Sequence, residues 1–153
     1  MGTYDVVVIG LGVMGSNLAL NIAEKGNRIA VFNRTPERTD AFMASAGNFA
    51  ADLVPAKTME DFIASIRPPR PVIIMVKAGE AVDEQIAALK KLMAKNDIVI
   101  DAGNANFRDT MRRFQDLDGS GLPFIGMGVS GGEEGARHGP SIMVGGTPES
   151  DAR

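Results

Sequence analysis

The most constraining feature of the sequence is a G-x-G-x-x-G pattern at residues 10–15, between two segments of different periodicity. The segment before it, "YDVVVIG" (4–10), is a continuous apolar run that predicts a strand buried on both faces. The segment after it, "VMGSNLALNIAEKG" (13–26), has the apolar spacing of a helix and ends on a glycine stop. In this strand–loop–helix context, the pattern indicates the phosphate-binding turn of a dinucleotide-binding unit.

Each glycine of this loop is required for a different steric reason. The first permits a tight turn, the second lets the backbone approach a pyrophosphate, and the third lets the helix pack closely on the strand. Backbone amides at the start of the helix then face the phosphates. A glycine-rich turn without a ligand is the simpler alternative, and the flanking strand and helix argue against it.

Strand-like and helix-like segments alternate along the rest of the chain. The other predicted strands are "RIAVFN" (28–33), "VIIMV" (72–76), "DIVID" (97–101) and "LPFIGMGV" (122–129), with a weak short one in "NFAADLVPAK" (48–57). Helix start signals or apolar spacing mark helices from Thr35, from Thr58, over 82–93 and over 107–117. The alternation predicts an α/β fold, a Rossmann-type doubly wound, mostly parallel sheet of about six strands with helices on both faces.

Composition narrows the class of function. A chain of 153 residues is long enough for one domain with a core, so residues 1–153 are expected to form one. The net charge of −3 gives no general attraction for nucleic acid or for an anionic membrane. Cysteine is absent and metal-ligating side chains do not cluster, so no metal site is expected. With no membrane-length apolar run and no signal-peptide pattern, the expected location is cytoplasmic.

The end of the second predicted strand bears on the choice of coenzyme. An NAD-specific site places an acidic residue about twenty residues past the glycine loop, where it binds the free ribose hydroxyl. This chain has Asn33, Arg34 and Thr35 there, which supply an uncharged amide, a planar cation and a hydroxyl. Such groups suit a ribose phosphate, so NADP is predicted over NAD. Thr35 could also serve as a helix cap, and Arg34 could be a solvated surface cation.

Five segments together resemble the N-terminal coenzyme domain of 6-phosphogluconate dehydrogenase (decarboxylating). They are "GLGVMGSNLALN" (10–21), "FNRT" (32–35), "VKAG" (76–79), "DAGNANFRDTMRR" (101–113) and "GVSGGEEGARHGPSIMVGG" (128–146). The first is shared by the wider β-hydroxyacid dehydrogenase superfamily, whereas the last is much more specific. Two segments depart from the family pattern: "DAGNA" (101–105), with Ala102, where "DGGNS" is common, and "MVGG" (143–146), with Val144, where "MPGG" is frequent.

The resemblance implies particular binding residues. Those expected to contact NADP are Gly10, Leu11, Gly12, Val13, Met14, Gly15, Asn33, Arg34, Thr35, Val76, Lys77, Ala78 and Asn104. Those expected to hold the substrate, 6-phosphogluconate, are Asn104, Ser130, Gly131 and Gly132. Simpler alternatives are that Asn104 caps a helix, although Asn106 is better placed for that, and that the glycines after Ser130 form a plain turn.

The resemblance also implies what this chain lacks. The family oxidises 6-phosphogluconate and decarboxylates it to ribulose 5-phosphate in the pentose phosphate pathway, using a lysine base and a glutamate acid. Both lie beyond the matching region, so no catalytic residue is expected here, and Lys77 belongs with the coenzyme contacts. The chain ends on a helix start signal, "TPE" (147–149), which favours a fragment that binds NADP without turnover. The full-length protein is expected to form a homodimer.

Two other functions stay open from the sequence. The first is the coenzyme domain of another β-hydroxyacid dehydrogenase, such as a 3-hydroxyisobutyrate type, against which the segment "GVSGGEEGAR" argues. The second is a non-catalytic module that binds NADP in order to sense it or to mediate assembly. His138, between charged and glycine residues, is expected to be a surface side chain under each of these interpretations.

Overall fold

A seven-stranded sheet with helices on both faces forms the core of the computed structural model, which describes residues 4–148. The strands are β1 Val6–Ile9, β2 Ile29–Phe32, β3 Leu53–Pro55, β4 Pro71–Ile74, β5 Ile98–Asp101, β6 Phe124–Ser130 and β7 Ser141–Gly145. Their order across the sheet is β3-β2-β1-β4-β5-β6-β7, and only the β6–β7 pair is antiparallel. The predicted doubly wound, mostly parallel sheet is confirmed.

The helices lie between the strands as the alternating pattern predicts. They are α1 Val13–Glu24, α2 Pro36–Ser45, α3 Met59–Ala64, α4 Glu80–Leu89, α5 Phe107–Leu117 and α6 Gly132–His138, with a 3₁₀ helix at Gly47–Asp52. None of the helices in the described part of the chain is long and apolar enough to cross a membrane.

The central strands are apolar throughout because both faces of the sheet are covered. In β1, Val7 and Ile9 belong to one apolar cluster and Val8 to another, as the twofold alternation of a strand requires. Helices α3, α4 and α5 contribute to the first cluster, and α1 and α2 to the second. Ala102, one of the two departures from the family pattern, is buried in the second cluster.

Two helix starts that look alike in the sequence differ in the structure. At Thr58 the side-chain oxygen accepts a hydrogen bond from the Asp61 amide at 3.1 Å, so the predicted cap is confirmed. Thr35 occupies the capping position of α2, but its hydroxyl makes no cap hydrogen bond. The amide of Arg38 donates instead to the carbonyl of Thr35 at 3.1 Å, which removes the need for a side-chain acceptor.

The edge of the sheet beyond β6 departs most from expectation. Strand β7 has no counterpart among the predicted strands, and all five of its residues are exposed, including Val144. A strand without a buried face carries no periodic apolar signal, so the pattern could not mark it. The helical spacing that correctly predicts α5 does not mark a buried face throughout, because Phe107 is 71% exposed and Met111 is 54% exposed.

The position of β1 decides where a ligand can bind. Strand β1 pairs with β2 on one side and β4 on the other, so the order of the strands reverses there. Open α/β sheets bind ligands at this reversal, beyond the carboxyl ends of the strands. The loop after β1, the tip of β2 and the loops after β4 and β5 all lie at that edge.

Candidate functional site

The glycine loop after β1 is shaped by close backbone packing. Gly10 has φ +98°, and a Cβ atom there would lie 2.4 Å from the carbonyl oxygen of Met75. A Cβ atom on Gly15 would lie 1.8 Å from the carbonyl oxygen of Gly10. By contrast, no heavy atom lies within 4 Å of a Cβ built on Gly12, whose backbone is extended. The first and third glycines therefore serve the fold, and the second leaves open space at the N-terminus of α1.

Asn33 at the tip of β2 is tied to this loop. Its Oδ1 accepts a hydrogen bond from the amide of Leu11 at 2.9 Å, and its Nδ2 donates to the carbonyl of Thr35 at 3.2 Å. Only an uncharged amide can accept one bond and donate the other, so an aspartate could not reproduce both. The sequence placed Asn33 at the ribose end of the site, but it did not predict this bridging role. The bond to Leu11 depends on how closely β2 approaches the loop.

The space beside the loop is an open cavity of about 350 Å³. It is lined by Ile9, Gly10, Gly12, Asn33, Arg34, Thr35, Arg38, Met75, Val76, Lys77, Ala81 and Gln85. Three of these side chains are cations, and no carboxylate is present among the described residues of the lining. A cavity with this charge, next to a helix N-terminus, suits an anionic ligand.

Arg34 has a partner outside the cavity lining. Its Nη1 lies 3.4 Å from Oε2 of Glu84 on α4, while 78% of the Arg34 side chain is exposed. An ion pair so exposed contributes little free energy, so a phosphate could displace Glu84 at small cost. Arg34 is therefore a weakly paired surface cation and not merely a solvated one.

A second cavity of about 390 Å³ lies beyond β5 and β6. Its lining includes Asn104 and Ser130, which the sequence placed at the substrate. Asn106 caps α5 by accepting a hydrogen bond from the Arg108 amide at 2.9 Å, so Asn104 is not the cap of that helix.

The remaining residues predicted at the substrate lie just outside this cavity. Gly131 has φ +117° and Gly132 has φ +61°, at the point where β6 turns into α6. The structure therefore brings Asn104 and Ser130 together and leaves the two glycines beside them. Asn21 of α1 fixes α6 in place, since its Nδ2 donates to the carbonyl of Ala136 at 2.9 Å.

A mostly buried group of charges adjoins the second cavity through Asp101, and sequence reasoning did not identify it. The guanidinium of Arg113 on α5 contacts Asp101 at the end of β5 and Asp83 on α4. Hydrogen bonding by Arg113 is the main cause that lowers the pKa of Asp83. Burial raises the pKa of Asp101, although the Gly103 amide and Arg113 oppose that effect. One signal was present in the sequence: Arg113 lies one helical turn before the buried Leu117.

His138 is exposed and lies 3.6 Å from Glu134 one turn earlier on α6, so the expected surface position is confirmed. No group of histidine, cysteine, aspartate or glutamate side chains that could hold a metal occurs within residues 4–148.

The strand order, the open glycine loop and the cationic cavity define the class of protein, a dinucleotide-binding Rossmann domain. The chain belongs to the family of NAD-binding domains of 6-phosphogluconate dehydrogenase, since the family model with that description matches residues 5–153. The family that the sequence segments indicated is thereby confirmed.

Similar proteins agree with this assignment. The chain is 54% identical to the decarboxylating 6-phosphogluconate dehydrogenase of Trypanosoma brucei brucei over 147 residues, which are 95% of this chain and 31% of that protein. It is 47% identical to the rat protein of the same name, covering 98% of this chain and 31% of the relative. The chain thus spans about a third of the length of the curated relatives that it matches.

Solved structures of the same fold differ in how closely their sequences match this chain. The 6-phosphogluconate dehydrogenase of Plasmodium falciparum, described with its cofactor NADP⁺ and with its substrate, matches with a TM-score of 0.91 and 44% identity. The match covers 97% of this chain and 32% of that one. A 3-hydroxyisobutyrate dehydrogenase of Mycobacterium tuberculosis has a TM-score of 0.83, covering 100% of this chain and 50% of its own. It is only 22% identical, so it shares the fold alone.

Proposed function

We propose that residues 1–153 are the NADP-binding domain of a decarboxylating 6-phosphogluconate dehydrogenase. The observation that carries the proposal is the tip of β2, where Asn33, Arg34 and Thr35 replace the acidic residue of an NAD site. These residues line one cavity with Arg38 and Lys77, beside the open space at Gly12. A dinucleotide with an additional ribose phosphate suits that charge.

The chain's own residues would hold the two halves of the coenzyme differently. Amides at the N-terminus of α1 face the pyrophosphate, and Gly12 leaves room for it. The adenosine half then lies at the tip of β2, and the other half extends over the ends of β4 and β5 towards Asn104. Val76, Lys77 and Ala78 lie between the two halves. When bound, NADP supplies the hydride acceptor of the reaction.

Asn104 and Ser130 are the groups proposed to orient the substrate. Both line the second cavity, and an amide and a hydroxyl can each donate to and accept from a polyhydroxy acid. Gly131 and Gly132 directly follow Ser130, at the turn from β6 into α6. The Plasmodium falciparum enzyme has 6-phosphogluconate as its substrate, which supports the same choice here.

The activity of the whole protein is part of the proposal. It would oxidise 6-phosphogluconate with NADP and release carbon dioxide to give ribulose 5-phosphate, as a cytoplasmic homodimer. The relatives carry about two thirds of their length outside the region matched by this chain. We place the catalytic acid and base there, and residues 1–153 would bind the coenzyme without turnover.

Calorimetric titration with NADP and NAD at one fixed salt concentration tests the coenzyme choice. A charge-assisted hydrogen bond contributes about 1.5–3 kcal/mol, which corresponds to about a 10- to 150-fold change in affinity. We expect Arg34→Ala to weaken NADP binding by about that factor and to leave NAD almost unchanged, since NAD has no phosphate there. Arg34→Lys should recover only part of the loss, because a point charge lacks the planar fork.

Arg28→Ala is the matched control. Arg28 is exposed and directly precedes β2, whereas Arg34 follows the other end of the same strand, so both variants lose one surface cation. An unchanged ratio of NADP to NAD affinity in Arg34→Ala would show that the phosphate is recognised elsewhere. A wild-type chain that binds neither coenzyme would overturn the proposed function itself.

A further inference from the structure

Arg113 is the largest fully buried charged side chain in the described part of the protein, with 2% of its side chain exposed. Its Nε donates to Oδ1 of Asp83 at 2.9 Å, and its Nη1 donates to Oδ2 of Asp101 at 3.2 Å. Its Nη2 donates to the carbonyl of Gly79 at 3.0 Å. One planar group thus holds acceptors from two different segments of the chain.

These acceptors lie at the base of the two loops that follow β4 and β5. Gly79 directly follows the loop of Val76, Lys77 and Ala78 as the N-cap of α4, and Asp83 lies in the first turn of that helix. Asp101 ends β5, and its second oxygen accepts a hydrogen bond from the amide of Gly103 at 3.1 Å, one residue before Asn104.

The two loops also pack closely against each other at Gly103. A Cβ atom on Gly103 would lie 3.0 Å from the carbonyl oxygen of Val76. Movement of either loop would therefore disturb the other, and Arg113 is bonded to the base of each.

Arginine is the side chain that this position requires. Its fork supplies donors in several directions within one plane, whereas the ammonium of a lysine is a single point. Asp101 is 1% exposed, so loss of the guanidinium would leave its carboxylate buried without its cation. Arg112, the preceding residue, is half exposed and pairs with Asp83, Asp109 and Asp116. None of these contacts reaches the buried Asp101, so Arg112 does not replace Arg113 there.

We propose that Arg113 is a positioning residue that holds the loop of Val76–Ala78 and the loop of Asn104 in register for the nicotinamide half of NADP. The inference rests on the proposed function, since these loops carry the proposed coenzyme contacts. It goes beyond that function because Arg113 lines neither of the two cavities and acts only through Gly79, Asp83 and Asp101.

The fold contains a matched control. Arg70 forms a second buried ion pair with Asp97, at 3.1 Å, and also donates to the carbonyl of Ile63 at 3.0 Å. This pair lies at the amino ends of β4 and β5, opposite to the ligand edge. A change at Arg70 should therefore reduce stability without reaching the two loops.

The experiment compares Arg113→Lys with Arg70→Lys, at a temperature where circular dichroism shows both to be folded. Each is titrated with NADP and with adenosine 2′,5′-bisphosphate, which carries the adenosine half alone. We expect Arg113→Lys to lose about tenfold or more in NADP affinity, the size of one hydrogen bond to a charged group. Its affinity for the bisphosphate should change by less than about threefold, and Arg70→Lys should bind both ligands as wild type does.

Three results would overturn the inference. If Arg113→Lys loses equal affinity for NADP and for the bisphosphate, Arg113 merely stabilises the domain. The same conclusion follows if Arg113→Lys and Arg70→Lys lose equal affinity for NADP. Unchanged NADP affinity in Arg113→Lys would show that the loops need no such support. If Arg113→Lys does not fold, Asp83→Asn takes its place, since Asp83 is partly exposed and the change removes the charge of one of the two carboxylates that Arg113 bonds. A wild-type chain that binds the bisphosphate but not NADP would contradict the proposed function instead.

Discussion

At the scale of single residues, the glycines of the loop after β1 differ in purpose: two are required by the packing of the fold and one leaves room for a ligand. Gly10 and Gly15 have backbone atoms where a side chain would stand, whereas Gly12 has none. The sequence alone predicts that all three positions matter, because their spacing is a known pattern. It cannot predict which of them the apo fold needs, since that depends on the distances between β1, α1 and the end of β4.

This difference predicts opposite outcomes for two substitutions. Gly12→Val should leave the thermal unfolding temperature nearly unchanged but abolish NADP binding, because the branched side chain fills the space beside the cavity. Gly15→Val should destabilise the domain by about 3 kcal/mol or more, since the backbone of Gly10 must move. Thermal unfolding and calorimetric titration of both variants would check this. A Gly12→Val chain that binds NADP like wild type would show that the coenzyme does not pass this glycine.

Other residues of the site were out of reach of sequence reasoning for physical reasons. The hydrogen bond between Asn33 and the Leu11 amide joins residues 22 positions apart, so no local pattern encodes it. Arg113 has a charge that normally indicates a solvated helix face, and its burial depends on two carboxylates from separate elements. By contrast, Arg34 and Thr35 could be predicted at the site because they directly follow a predicted strand, and Lys77 because its segment resembles the family.

At the scale of elements, the burial of a strand or helix determines whether the sequence predicts it. Strands β1, β2, β4, β5 and β6 are predictable because the residues that cross the core are apolar. The short β3 is only weakly marked, and the exposed β7 is not marked at all. Helix α6 illustrates a further limit, since its short, charged sequence fits either a loop or a helix. Tertiary contacts with α1 determine its position.

The contact between α1 and α6 gives a prediction at this scale. The Nδ2 of Asn21 donates to the carbonyl of Ala136 in a buried hydrogen bond, and Arg137 pairs with Glu24 at 2.5 Å. Asn21→Ala should cost about 1–3 kcal/mol of unfolding free energy, because the carbonyl of Ala136 loses its donor. Asn17→Ala, one turn earlier on α1, removes only an exposed bond within the helix and is the control. Equal unfolding free energies in urea for these two variants would contradict the role of Asn21.

At the scale of the whole molecule, the described residues form a core on both faces of the sheet and leave the second cavity without a free titratable group. Both faces of the sheet carry an apolar cluster covered by helices, so the chain has what independent folding requires. Among the described residues that line the second cavity, Asp101 is the only titratable group. Its oxygens are bonded to Gly103 and Arg113, so it is not free to act as a base.

The purified 153-residue chain should therefore fold, bind NADP and produce no NADPH from 6-phosphogluconate. General acid–base catalysis contributes about 10²–10⁴-fold for each positioned group, and the described site offers no free group near Asn104 and Ser130. The measurement is NADPH absorbance with both ligands present, with the full-length trypanosomal enzyme as the positive control. Absorbance that rises above the enzyme-free blank, and only when 6-phosphogluconate is added, would place a working acid or base within these residues. In that case Lys77 would be the first residue to replace, because it is the ionisable side chain of the coenzyme cavity that lies in the loop after β4.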